Sequence, residues 1–261
     1  MVSSDFRAEA RRKLQGKWGK GALITLAYLA ITFVIGFISG LLPESMETLI
    51  SIATMVIEIP LSFGVVFAFL KLFNGEDVKA FDFLSLGFNN FKKSWGIFFQ
   101  TLLKLIVPVI LIVVSYMIIS AGIAMAFAST RYSSASAAAG FSGLTIVGFI
   151  LLIVSVIWGT VKSYYYELAN LIAMDNPDLS AKDSVIKSQE LMTGKRGKLF
   201  CLQLSFIGWA ILAVIPFYIG LLWLMPYIQI SIIAFYKFVS GNNSNVETEV
   251  TTENESPIQG E

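Results

Sequence analysis

Two charged residues sit where charge is expensive. Glu58 lies in the apolar run Leu49–Phe73, eleven residues after Glu47 and thirteen before Lys71. Lys104 lies in the run Trp95–Ala128. A charge at mid-membrane costs about 2.5–3.5 kcal/mol on insertion scales, and intramembrane ionisable residues mark substrate paths, proton relays or paired sites. Counted from Trp95 at 1.5 Å per residue, Lys104 lies about 13 Å along a helix, near the level of Glu58. Pro60 and Pro108 follow the two charges, and proline frees backbone carbonyls that can line a cavity. The chemistry on offer is an ion pair in a polar cavity that binds a substrate head group or passes a proton. The plainer reading is that Glu58 is protonated or hydrogen-bonded for packing. Lys104 then snorkels outward, because Leu105–Ala128 is long enough to span without it. A single carboxylate with no second acid and no histidine beside it is a poor relay.

The rest of the inventory is thin. The 261 residues include no histidine and one cysteine, Cys201, inside an apolar run. Histidine-based acid–base catalysis, disulfide frameworks and multi-cysteine metal sites are therefore excluded. Asp175-Asn-Pro-Asp178 has the form of a turn, with Ser180 able to cap the next helix. Its two carboxylates offer weak ground for Mg²⁺. Tyr164-Tyr-Tyr-Glu167 suits an aromatic belt at a membrane surface. Gly16-Lys-Trp-Gly-Lys20 and Gly194-Lys-Arg-Gly-Lys198 could cradle a lipid phosphate, but neither has the spacing of a P-loop and no strand precedes them.

The elements that must position these residues are apolar helices. Hydrophobic residues make up 56% of the chain and charged residues 14%, against roughly 25% charged in a soluble domain. Gly21–Leu42 runs twenty-two residues without a charge, enough to cross a hydrocarbon core of about 30 Å. It is too long for a signal-peptide core and no small-residue cleavage pattern follows, so it reads as a retained helix. Leu49–Phe73, Trp95–Ala128 and Phe141–Val161 read as the second, third and fourth spans. Leu199–Tyr236 is thirty-eight residues without a charge. As one helix it would be about 57 Å long, so it divides into two short spans near Pro216–Gly220.

Lysine and arginine set the orientation. Arg7, Arg11, Arg12, Lys13, Lys17 and Lys20 precede the first span. Lys71, Lys79, Lys92 and Lys93 separate the second and third, and Lys182, Lys187, Lys195, Arg196 and Lys198 separate the fourth and fifth. Both termini therefore face the cytoplasm, and Ser129–Gly143 becomes an external, mobile loop. Residues 241–261 carry five acids and no base, which predicts a disordered acidic cytoplasmic tail.

Three segments repeat. Leu14-Gln-Gly-Lys-Trp18-Gly19, Phe91-Lys-Lys-Ser-Trp95-Gly96 and Met192-Thr-Gly-Lys-Arg196-Gly197 each lead into an apolar run. Phe6–Leu14, Phe81–Phe91 and Ala181–Met192 precede them as short amphipathic helices. In the last, Ala181, Val185, Ser188 and Met192 share a face. The pattern predicts three units, each an interfacial helix, a Gly/Lys/Trp corner and a transmembrane hairpin. Lys17, Trp18, Lys20, Lys93, Trp95, Lys195, Arg196 and Lys198 would sit at head-group depth. Gly36-Phe-Ile-Ser-Gly40 adds a GxxxG that suits internal packing or dimerisation equally.

Taken together, Gly16–Lys20, the run Asp175-Asn-Pro177 with Ala181 and Ser188–Phe200, then Leu204-Ser-Phe-Ile-Gly-Trp209, Pro226-Tyr227 and Phe235-Tyr236 resemble an uncharacterised family. It is an integral membrane family of Gram-positive bacteria, domain of unknown function 975. The resemblance covers most of residues 5–239 and is strongest after Tyr164. It implies a bacterial polytopic protein of the plasma membrane and brings no catalytic residue with it.

The expectation is an all-α, six-span protein built as three hairpins, each preceded by a cytoplasmic interfacial amphipathic helix. Residues 1–240 form one domain, with hairpin units at about 5–73, 81–161 and 180–239, and residues 241–261 form the tail. It is not an enzyme and needs no cofactor or metal. Its partners are membrane lipids and another membrane protein or a second copy of itself, and not nucleic acid. It acts as a membrane scaffold or accessory subunit. The alternative is a small transporter of an amphiphilic substrate that uses Glu58 and Lys104.

Overall fold

The structure, a computed structural model, describes residues 2–129, 135–214 and 219–241. The described residues are helical, with no strand among them. They form α1 (Ser3–Leu14), α2 (Trp18–Leu41), α3 (Glu47–Asn74), α4 (Asp82–Asn89), α5 (Phe91–Ser129) and α6 (Ala135–Ser163). Beyond these come α7 (Ala169–Asp175), α8 (Ala181–Met192), α9 (Arg196–Leu204), α10 (Ile207–Val214) and α11 (Leu221–Val239). Six stretches are long and apolar enough to cross a membrane: Trp18–Leu41, Glu47–Asn74, Phe91–Phe127, Gly143–Ser163, Arg196–Val214 and Leu221–Val239.

These agree with the six expected spans, with two differences. The expected loop Ser129–Gly143 is largely helix, since α6 begins at Ala135. The segment is rich in alanine, the best helix former, and small-residue composition had suggested flexibility instead. The fifth span is two helices. Ser205 turns its hydroxyl onto the Leu202 carbonyl (2.6 Å), and the Phe206 amide bonds Gln203 three residues back (3.0 Å), which tightens the helix between α9 and α10. The expected link at Pro216–Gly220 falls mostly on residues 215–218, outside the described residues, as does the acidic tail beyond Gly241.

The chain divides into two compact units, residues 1–98 with 168–261, and residues 99–167. In the first, α1 packs on α11 and α9, α2 on α3 and α11, α3 on α4, α7 and α11, and α7 on α8. Phe6, Ala10 and Leu14 form the buried stripe of α1, at the helical repeat. The Phe6 ring meets Phe235 and Phe238 edge-on, with centroids 5.4 and 5.5 Å away. In α8, Val185, Ser188 and Met192 are buried as their spacing predicted, while Ala181 is half-buried. The core is uneven along α2 and α3. It takes Ile24 and Ala27 near the start of α2, and Leu61, Phe63, Ala68, Phe69, Leu70 and Leu72 in the later half of α3. Phe33, Phe37 and Leu41 of α2 are exposed apolar surface, as a lipid-facing helix requires.

Two glycines decide how α4 meets α3. A Cβ on Gly64 would lie 2.0 Å from the Phe83 carbonyl oxygen, and one on Gly87 would lie 2.1 Å from that of Pro60. The helices touch backbone to backbone midway along α3, with Phe83 fully buried and edge-on to Tyr28. Pro60, expected to open a cavity, is buried in this contact.

The second unit holds the rest of α5 and α6. A Cβ on Gly148 would meet Ile119 at 2.7 Å, and one on Gly159 would meet Pro108 at 3.3 Å, so small residues set the close approach. Pro108 therefore packs against a helix here too. Ser115 and Ser155 are buried and bond back to Leu111 and Leu151 of their own helices (2.7 Å each).

Gly87→Ala tests the backbone contact. Overpacking of this kind costs about 1–3 kcal/mol, so we expect a lower thermal midpoint in detergent and a broadened size-exclusion peak. Gly36→Ala is the control, because a Cβ there meets nothing within 4 Å. It should be neutral or stabilising.

Candidate functional site at the basic helix ends

The two Gly/Lys corners are the same backbone structure. After α1, Gln15 (φ −57°, ψ 124°) and Gly16 (φ 75°) turn the chain, and the Lys17 amide donates to the Leu14 carbonyl at 2.8 Å. After α8, Thr193 (φ −61°, ψ 122°) and Gly194 (φ 76°) repeat the turn, with Lys195 donating to Met192 at 3.0 Å. These are type II turns, whose third position needs a positive φ and hence glycine. The second expected corner, Phe91-Lys-Lys-Ser-Trp95-Gly96, is no corner. It lies inside α5, and the chain passes from α4 to α5 through Asn90 alone, whose side-chain amide donates to Leu86 O (2.9 Å). Without a glycine to hold a positive φ there, the helix simply starts earlier.

The lysines at these starts reach the ends of other helices. Lys17 Nζ donates to the Leu72 carbonyl of α3 (3.3 Å), and Lys195 Nζ to the Val239 carbonyl of α11 (3.4 Å). Lys93 Nζ donates to the carbonyls of Asn176 (3.3 Å) and Pro177 (2.7 Å), just past α7. A cation there meets the negative dipole end of a helix, and since the Leu72 and Asn176 carbonyls also accept from the Gly75 and Leu179 amides (3.2 Å each), the lysine fills their second acceptor position. A left-handed glycine completes the end of α3. Gly75 (φ 92°) lets the Glu76 amide bond back to the Lys71 carbonyl at 3.0 Å.

Asp175 is the second polar centre. Its carboxylate takes Lys237 Nζ at 2.9 and 3.0 Å and the Tyr236 hydroxyl at 2.9 Å, and so joins the end of α7 to the end of α11. This carboxylate serves as a clasp, while Asp178 is exposed. Ser180 caps α8 as expected, accepting from the Asp183 amide at 3.1 Å.

The other expected interface residues scatter around these clasps. Lys20 pairs with Asp77, and that hydrogen bond holds the Asp77 carboxyl below the usual carboxylate range. Trp18 is half-buried and tilted on Tyr227, with centroids 6.0 Å apart. Trp95 packs between Phe91 and Phe98. Arg196 is half-buried, and Lys198 is exposed with its ammonium 5.5 Å from the Phe238 ring centre. In the second unit Lys162 lies over Trp158 at 5.5 Å, and burial raises the Tyr164 and Tyr166 phenols, Glu167 adding to the first.

Glu58 and Lys104 fall in different units, and both are exposed. Glu58 is one turn from Thr54, whose hydroxyl meets that of Ser39 on α2 at 3.4 Å. Lys104 is thirteen residues into α5, four more than the count from Trp95 gave.

The family model described as "Protein of unknown function (DUF975)" matches residues 1–243. The chain belongs to this family. No curated protein and no solved structure matches it. With its six apolar stretches, the DUF975 chain is a multi-pass membrane protein.

Sequence reasoning found the lysines but gave them lipid head groups as partners. A lysine next to a helix start shows no sign of which helix end it will reach. Lys237 in the last turn of α11 was the one legible hint of the Asp175 clasp.

Lys17→Met and Lys195→Met should each cost about 1–2 kcal/mol, as lost charged hydrogen bonds do. The loss should appear as faster amide exchange confined to the last turn of α3 for the first and of α11 for the second. Lys20→Met, which breaks an exposed pair, should leave the thermal midpoint and the exchange pattern unchanged.

Proposed function

We propose that this protein is a non-enzymatic scaffold or accessory subunit of a bacterial plasma membrane. In this reading three transmembrane hairpins repeat and the basic helix ends face the cytoplasm. The observation that carries the reading is the division of labour among the cations. Lys17, Lys93 and Lys195 are spent on the protein's own carbonyls. Arg11, Lys92, Lys182, Lys187 and Lys198 remain exposed around the same helix starts. Such a ring attracts anionic lipid at about 1 kcal/mol per basic residue near the surface. It favours holding the protein against one leaflet over turning a substrate over.

Mild-detergent purification from the native membrane, with mass spectrometry of what remains bound, tests this. We expect a membrane protein in fixed ratio to the chain or a retained anionic amphiphile. C-terminal reporter fusions should be active only as cytoplasmic reporters.

The alternative is a small transporter of an amphiphilic substrate. The exposure of Glu58 and Lys104 in apolar helices favours it, because neither charge is withdrawn from the helix surface. On the scaffold reading, Glu58→Gln and Lys104→Met leave the purified protein and its bound material unchanged. Substrate flux in proteoliposomes that Glu58→Gln abolishes would establish the transporter instead.

A further inference from the structure

Helices α1, α2, α10 and α11 line a groove of about 360 Å³. It runs from Arg11 on α1, past Trp18 on α2, to Trp209 and Leu212 on α10 and Trp223 and Tyr227 on α11. We infer that this groove binds an anionic lipid, its acyl chain against Trp209, Leu212 and Trp223 and its head-group phosphate at Arg11. The inference rests on the proposed lipid-engaging function and names the ligand class.

The volume falls within the range of about 300–1,000 Å³ typical of small-molecule sites. The walls are built. A Cβ on Gly21 would lie 2.9 Å from Pro226, so α2 and α11 are in direct contact on one side. A Cβ on Gly220 would lie 2.6 Å from the Ala213 Cα, so α10 and α11 close the far end. Tyr227 is fixed between Trp18 and Phe206, whose ring it meets edge-on at 5.1 Å.

Charge selects the occupant. Arg11 is the charged residue in the lining, and among the described residues no carboxylate pairs with it. Arg7 lies one turn earlier on the same side of α1, and its Nε is buried with no hydrogen-bond partner among the described residues. One guanidinium at the end of an apolar aromatic slot, with a second arginine a helical turn away, suits one phosphate on one chain. A transmembrane helix from another protein, about 10 Å across, is too thick for this volume and would have to bury Arg11.

The test is native mass spectrometry of the full-length protein titrated with dioleoyl phosphatidylglycerol and, separately, dioleoyl phosphatidylcholine. We expect the anionic lipid to bind at least about tenfold more tightly, equivalent to about 1.4 kcal/mol. Arg11→Gln should remove most of that preference, Trp223→Ala should weaken retention of both lipids, and Lys79→Gln, an exposed base outside the groove, should change neither. Equal retention of the two lipids, or a preference indifferent to Arg11→Gln, overturns the inference. Displacement by millimolar glycerol phosphate would mean that the site reads a free phosphate, which also overturns it. Anionic-lipid binding that appears only after residues 242–261 are removed would assign the groove to the acidic tail. Failure here with a partner still captured removes the groove site alone, whereas flux dependent on Glu58 removes the general reading.

Discussion

A helix end leaves carbonyls that no amide of its own helix reaches, and the first unit is organised around that constraint. Each helix has up to four such carbonyls at its C-terminus, and α3, α7 and α11 all end within this unit. The solution is borrowed cations. Lys17 comes from the start of α2, Lys93 from the start of α5 and Lys195 from the start of α9. A helix start carries no surplus of carbonyls, so its lysine is free to serve a neighbour. The same contact ties the start of one helix to the end of another and so fixes their relative height.

Holding the ends concentrates the packing there. Buried side chains gather in α1, in the later half of α3, in α7 and in α11, while the middle of α2 is apolar and exposed. In a soluble protein that distribution would be unstable. In a bilayer the exposed apolar faces cost little, and tertiary specificity has to come from close backbone approach and polar clasps. Gly64 with Gly87 provides the first and Asp175 with Lys237 and Tyr236 the second.

Much of this was legible from the residues alone. Long apolar runs, two of them interrupted by charge, pointed to the six spans, since few other structures can satisfy a backbone in lipid. Glycine before lysine gave the two turns, and Ser180 gave its cap, because those depend on neighbours in sequence. What was hidden depends on neighbours in space. Nothing local indicates that Gly87 faces the Pro60 carbonyl, or that Asp175 lies beside Lys237 sixty-two residues later. Ala135–Ala139 failed for a different reason. Small residues suit both a loop and a helix, and the helix won on propensity. The groove also escaped notice, because Arg11, Trp18, Trp209 and Trp223 each have an ordinary explanation as membrane-surface residues when read singly.

The middle of the chain shows which part of the repeated pattern matters. It keeps the spacing, but Lys93 stands where the turn glycine would be, there is no type II turn, and α4 sits against mid-α3. Its lysine still finds carbonyls, but at Asn176 and Pro177 past the short α7, not at the end of a long apolar helix. Pro177 explains why that place was available. A proline disfavours helical geometry in the residue before it, so α7 stops at Asp175, with the Asn176 and Pro177 carbonyls just beyond it. Turn geometry can vary as long as a cation still meets a terminated helix. GKWGK, GKRGK and Asp-Asn-Pro then serve one physical end, the satisfaction of helix ends, through three different local structures.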